Sequence, residues 1–132
     1  MRKLALPDRD RTKPVLDDRD IYIIKNQGIA GVKEQAEEII TSKLKHQPEN
    51  DGKQTPTAGN PIYKAMHACN VHSRKSLSKT YRMPAGRELT SKQIETITNL
   101  VTRWIAREYN FYREEEKAKQ GKLDTFVDKK EE

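Results

Sequence analysis

The chain is short of cysteine and aromatic residues and, over one long stretch, has no acid at all. A single cysteine, Cys69, stands among 132 residues. One thiol cannot close an intramolecular disulfide, which fits a reducing compartment. No uninterrupted apolar run reaches ten residues, and the opening Met1-Arg2-Lys3-Leu4-Ala5-Leu6-Pro7 lacks the apolar core of a secretory signal. The sequence therefore predicts a cytoplasmic protein with no membrane partner. Between Gly52 and Arg87 there is neither Asp nor Glu, so a carboxylate acid/base pair cannot be assembled locally there. Apolar residues make up 33% of the chain, and the six glycines still leave the total below the roughly 45–50% usual for globular chains. The core must be small and the ends are expected to be disordered.

Charge, by contrast, is plentiful. Lys and Arg number 26 against 20 acids, a formal net charge of +6. Residues 61–92 hold seven bases (Lys64, Arg74, Lys75, Lys79, Arg82, Arg87 and Lys92) and one acid, Glu88, so they account for the whole excess. The rest of the chain is a neutral scaffold. Tyr63, Ser73, Ser76, Ser78, Thr80 and Tyr81 interleave the cations. Hydroxyls beside Lys and Arg suit phosphate, and several cations that neutralise several phosphates gain affinity by releasing counterions.

The periodicity predicts an all-α protein, a small single-domain bundle of about four helices. Residues 1–16, with two prolines among alternating charges, are expected to form a mobile arm. Residues 17–113 form the helical domain and 114–132 a charged, disordered tail. Asp17 caps a short helix through Ile21 and Ile24 that ends at Gly28. After Gly31, the residues Val32, Ala36, Ile39, Ile40 and Leu44 form one stripe of a second helix. A loop of about a dozen residues runs from Gln47 to Asn60. Asn60 as cap and Pro61 at the first helical position then open a helix that buries Ile62, Met66 and Cys69. Helical structure continues from Arg74 through Leu77 and Tyr81 until Pro84 and Gly86 turn the chain. Thr90-Ser91-Lys92-Gln93 is a capping box before an apolar run. Its helix carries Ile94, Ile97, Val101, Trp104 and Ile105 inward, with Leu100 flanking, and Gly121 marks its end. No internal repeat or strand alternation stands out.

The candidate chemistry is sparse. His67-Ala68-Cys69-Asn70-Val71-His72 supplies zinc-type ligands. On one continuous helix, however, His67 and His72 point about 140° apart, and only Cys69 and His72 share a face. His67, Cys69 and His72 are thus weak metal candidates and no cofactor is expected. Cys69 falls on the apolar face, where a thiol is inert. Gly52-Lys53-Gln54-Thr55 has a glycine turn but lacks the second glycine and preceding strand of a nucleotide-binding loop.

The order Gly52-Lys53-Gln54-Thr55-Pro56, Asn60-Pro61-Ile62-Tyr63, His67-Ala68, Pro84-Ala85-Gly86-Arg87-Glu88-Leu89-Thr90 and Arg103-Trp104-Ile105 resembles an uncharacterised family of short bacterial, plasmid and phage or viral proteins, a domain of unknown function. The likeness runs from about Asp17 to Ile105. The family pattern implies several cysteines and a later histidine after the shared His-Ala, a zinc or redox arrangement. Here His72, Ser73, Ser76 and Tyr81 stand at those places, so the resemblance carries no metal site over. The two persisting motifs, around residues 52–56 and 84–87, are expected to serve the fold or a binding surface.

The leading expectation is a non-enzymatic protein that binds DNA or RNA. Arg74, Lys75, Lys79, Arg82 and Arg87 would contact phosphate, with Lys53 and Lys64 at the margin. The alternative is a phage-type accessory or inhibitor protein, anti-CRISPR-like for example, docking its basic face on an acidic surface of a host protein. An enzyme using His67 is the third reading.

Overall fold

Four helices follow the cap signals of the sequence closely, and what departs from expectation is how their connections are tied. The computed structural model describes residues 4–9 and 15–131, the backbone alone from 121 onward. In order the elements are α1 (Asp18–Leu44), α2 (Pro61–Ala68), α3 (Arg74–Tyr81) and α4 (Ser91–Glu131), with no strand among the described residues. The chain is a small all-α domain.

Asp17 caps α1 reciprocally. The Asp20 N–H donates to the Asp17 carboxylate at 2.9 Å and the Asp17 N–H to that of Asp20 at 3.0 Å. The expected break at Gly28 is present as a kink, so the two predicted segments run on as one bent helix. Gly28 has φ 71° and ψ 164°, a conformation essentially restricted to glycine. There is open space around it, so backbone strain alone governs a substitution. Gly28→Ala is expected to lower stability by about 1–3 kcal/mol, read from urea unfolding. An unchanged midpoint would mean that the kink simply straightens.

Asn60 accepts the Ile62 N–H at 2.7 Å and Pro61 occupies the first turn of α2. Ser73 and Ser76 make a reciprocal box for α3, and Thr90 and Gln93 make the expected one for α4. The buried stripe of α1 (Ile21, Ile24, Val32, Ala36, Ile40, Leu44) meets Ile62, Ala65 and Met66 of α2 and Ile94, Ile97, Leu100, Val101, Trp104 and Ile105 of α4. These three helices pack on one another. α3 lies outside that arrangement and buries only Arg74 and Leu77.

Of the arm expected over residues 1–16, residues 1–3 and 10–14 lie outside the described residues. The arm read as mobile lies on α4 over residues 4–9, with Leu4 and Leu6 against the core. The Arg103 guanidinium donates to the Leu4 carbonyl at 2.5 Å and that of Arg107 to the Pro7 carbonyl at 2.7 Å. Arg9 pairs with buried Glu108 at 3.0 Å and sits 3.3 Å from the Phe111 ring centroid. Carbonyl acceptors need no apolar sequence, which is why hydropathy alone does not reveal the docking. At the other end, α4 passes Gly121 and reaches Glu131, beyond the helix end that the sequence places at that glycine. Residues 114–120 are exposed helix, with Glu114–Lys117 and Glu116–Lys119 pairs at 3.9 Å. Strong helix formers carry the backbone through a glycine whose cost is about 1 kcal/mol.

Candidate nucleic-acid interface

Arg74 is the first correction. It was expected to contact phosphate, but it has no exposed surface. One guanidinium nitrogen donates to the carbonyls of Leu44 at 3.2 Å and Lys45 at 3.0 Å, and another to those of Pro84 and Arg87, both at 2.7 Å. A planar fork of fixed donors thus joins the end of α1 to the turn before α4. Burial pulls its pKa below the ordinary value, with Asp51 opposing. The sequence held a signal for this: Arg74 is three and seven residues from Leu77 and Tyr81, which places it on the inner face of α3.

Lys64 is the second correction. It meets buried Asp20 at 2.6 Å and Asp17 at 3.2 Å, and donates to the Val15 carbonyl at 3.3 Å. Desolvation would lower its pKa, but the two carboxylates outweigh that and raise it. Lys64 ties α2 to the start of α1 and is no margin of an anion-binding face.

The loop of residues 47–60 is tied to the corner between α2 and α3. The Asp51 carboxylate accepts the N–H groups of Arg74 and Lys75, both at 2.9 Å, and so occupies the N-terminus of α3. Burial would raise this carboxyl, but the hydrogen bonds from Gln54, Arg74 and Lys75 and the Lys75 charge hold it below the ordinary value. Gln54 completes the turn by donating to Asp51 at 2.8 Å and accepting the Gly52 N–H at 2.6 Å. Buried Thr55 donates its hydroxyl to the His72 carbonyl at 2.9 Å, while His67 Nε2 lies 2.9 Å from the Thr55 carbonyl. Residues 52–56 therefore hold the loop against this corner.

The histidines also differ from expectation. α2 stops at Ala68, and Asn70 takes the left-handed conformation, φ 58°, that folds the chain back. The His67 and His72 rings consequently stack at 4.3 Å and 13°, instead of pointing apart as they would on one continuous helix. No group of three or more His, Cys, Asp or Glu placed to hold a metal occurs among the described residues. Cys69 is buried, and burial pushes its thiol up to about 12 against the opposing charges of Arg107 and Arg103. It is an inert core thiol, and its carbonyl accepts the Tyr81 hydroxyl.

His72 makes the corner sensitive to acid. Its pKa is lowered from the ordinary 6.5, first by burial and then by His67, with Asp51 opposing. The unfolded chain therefore binds this proton more readily than the folded one. Stability is expected to fall as the pH drops through about 6.5 toward the lower native value. Urea unfolding at pH 7.5 and pH 5.5 measures it, and His72→Phe should remove this part of the difference. The same pH dependence in that variant would assign it elsewhere.

The remaining predicted cations, Lys53, Lys75, Lys79, Arg82 and Arg87, are all exposed, and none is ion-paired among the described residues. Lys75 and Lys79 lie one turn apart on the outer face of α3, and Arg82 closes the helix at φ 58°. Arg87 lies in the turn whose carbonyl holds Arg74, and Lys53 in the loop whose Asp51 caps α3. The buried Arg74 guanidinium and the part-buried Asp51 cap thus brace the segments that carry these exposed side chains. Glu88, the acid nearest in sequence to Arg87, pairs with His46 at 3.5 Å. No helix among the described residues is long and apolar enough to cross a membrane.

No solved structure matches the chain. Residues 3–106, which span the docked arm, the clamped corner and α4 through Ala106, match the family described as Domain of unknown function (DUF4186), and the chain belongs to that family.

Proposed function

We propose that the protein binds nucleic acid through Lys53, Lys75, Lys79, Arg82 and Arg87, without catalysis at that surface. The observation that carries the reading is the division of labour among the cations. Arg74 and Lys64 are consumed by internal carbonyls and carboxylates, while these five are exposed and make no side-chain ion pair among the described residues. Unpaired cations on braced segments lose little conformational freedom when they meet a phosphate backbone, and each neutralised phosphate releases counterion. The local acid that could have competed, Asp51, is engaged by two backbone N–H groups.

An electrophoretic shift with mixed-sequence DNA and RNA at low salt tests the reading. A shift that weakens steeply as salt rises is expected. Absence of any shift at low salt, together with a host protein that stays bound after nuclease treatment, would transfer the same surface to a protein partner.

A further inference from the structure

The connection between α2 and α3 bears on which nucleic acid the basic surface fits. α2 and α3 are consecutive eight-residue helices joined by a tight turn at residues 69–73, with left-handed Asn70 inside it. Consecutive short helices joined by a turn are a common way for a protein to present the second helix to DNA. Here that helix is α3, which lies outside the packing of α1, α2 and α4. Its inner face is Arg74 and Leu77, and Lys75, Ser78, Lys79 and Thr80 are exposed. Both ends are fixed, one by Asp51 and the other by the Tyr81 hydroxyl on the Cys69 carbonyl.

Two further observations select among ligands. Single strands are held largely by stacking bases on aromatic rings. Tyr63 and Tyr81 are both part-buried against the core, and the part-buried His67 and His72 rings are stacked on each other. The large exposed aromatic among the described residues, Tyr22, belongs to the early turns of α1. The basic surface therefore offers phosphate contacts without a stacking platform. A helix with its side chains is about 10–12 Å across, and the major groove of B-form DNA, about 12 Å wide, admits it. The major groove of A-form RNA is too narrow to be read by side chains. Asp51 already fills the N-terminus of α3, so phosphate must be met by side chains along the helix and not by its end.

We infer that α3 seats in the major groove of double-stranded DNA, with Lys75, Lys79 and Arg82 on the phosphates that border it and Ser78 facing the base edges. This rests on the nucleic-acid reading above and narrows it to one form. Fluorescence anisotropy at a single low salt concentration compares a 20-base-pair DNA duplex, one of its strands alone and an RNA duplex of the same sequence. The DNA duplex is expected to bind about tenfold more tightly than either of the others. Dimethyl sulfate probing should show protection of guanine N7, which lies in the major groove. Ser78→Glu places a carboxylate at the centre of the exposed face without touching the core. It should weaken duplex binding about a hundredfold or more while leaving the melting temperature unchanged.

Equal or tighter binding of the single strand or the RNA duplex overturns the groove assignment and leaves the nucleic-acid reading standing. So does duplex binding with unprotected N7 atoms, or with full affinity in Ser78→Glu. Failure to bind all three probes overturns both.

Discussion

Replacing Arg74 with alanine is expected to lower the unfolding free energy by about 3–5 kcal/mol, the cost typical of breaking a buried charged network. Against a total of about 5–15 kcal/mol for a domain, that is a large share. The mechanism is specific. Four carbonyls, of Leu44, Lys45, Pro84 and Arg87, lose their charged donor together, and a cavity opens between the end of α1 and the turn before α4. Arg74→Lys should recover little, because one ammonium with three donors cannot reach four acceptors arranged for a planar fork. The urea midpoint should fall at constant slope. A drop under about 1 kcal/mol would show that the carbonyls find water or other donors at little cost. Any loss of ligand binding in this variant should follow loss of fold.

The opposite profile is expected on the outer face of the same helix. If Lys53, Lys75, Lys79, Arg82 and Arg87 each neutralise one phosphate, the logarithm of affinity should fall with the logarithm of salt at a slope of about −4.5 on B-form DNA. Affinity should then drop about 500-fold between 50 and 200 mM salt. Lys75→Ala with Lys79→Ala should reduce the slope by about 1.8, uniformly across sequences. Both side chains are exposed, and Asp51, on which the Lys75 charge acts, keeps its hydrogen bonds from Gln54 and two backbone N–H groups, so the melting temperature should move little. An unaltered slope in the double variant would place the contacts elsewhere on the protein. Testing Arg74→Ala beside it separates the cation that builds the corner from the cations mounted on it.

The starts of the helices were legible in the sequence because each is a local event. Asp17, Asn60 with Pro61, and Thr90 with Gln93 satisfy orphan N–H groups within three residues of themselves, so the sequence alone places them. Gly28 was legible as a break for the same reason, although the structure makes it a kink. The candidate site was legible in composition but not in role. Arg74 and Lys75 are neighbours of like charge, and only their register relative to Leu77 separates a buried clamp from an exposed cation. Lys64 was misassigned because its partners, Asp17 and Asp20, lie more than forty residues upstream. The histidines stack because α2 ends at Ala68 and the chain folds back at Asn70, whereas helical periodicity alone would carry one helix through both. Local rules cannot report such long-range pairings.

The docking of residues 4–9 on α4 has a consequence for how the chain is made. Arg103, Arg107 and Glu108 receive a segment synthesised about a hundred residues earlier. During translation the first residues must therefore wait, undocked, until the first half of the last helix has emerged. A chain stopped between Tyr81 and Glu108 would carry all of α1, α2 and α3 yet leave its own beginning without the charged partner of Arg9. A contact so distant in sequence is slow to form. Closing the N-terminal strap is then a late event in folding, after which the domain's two ends are fastened together.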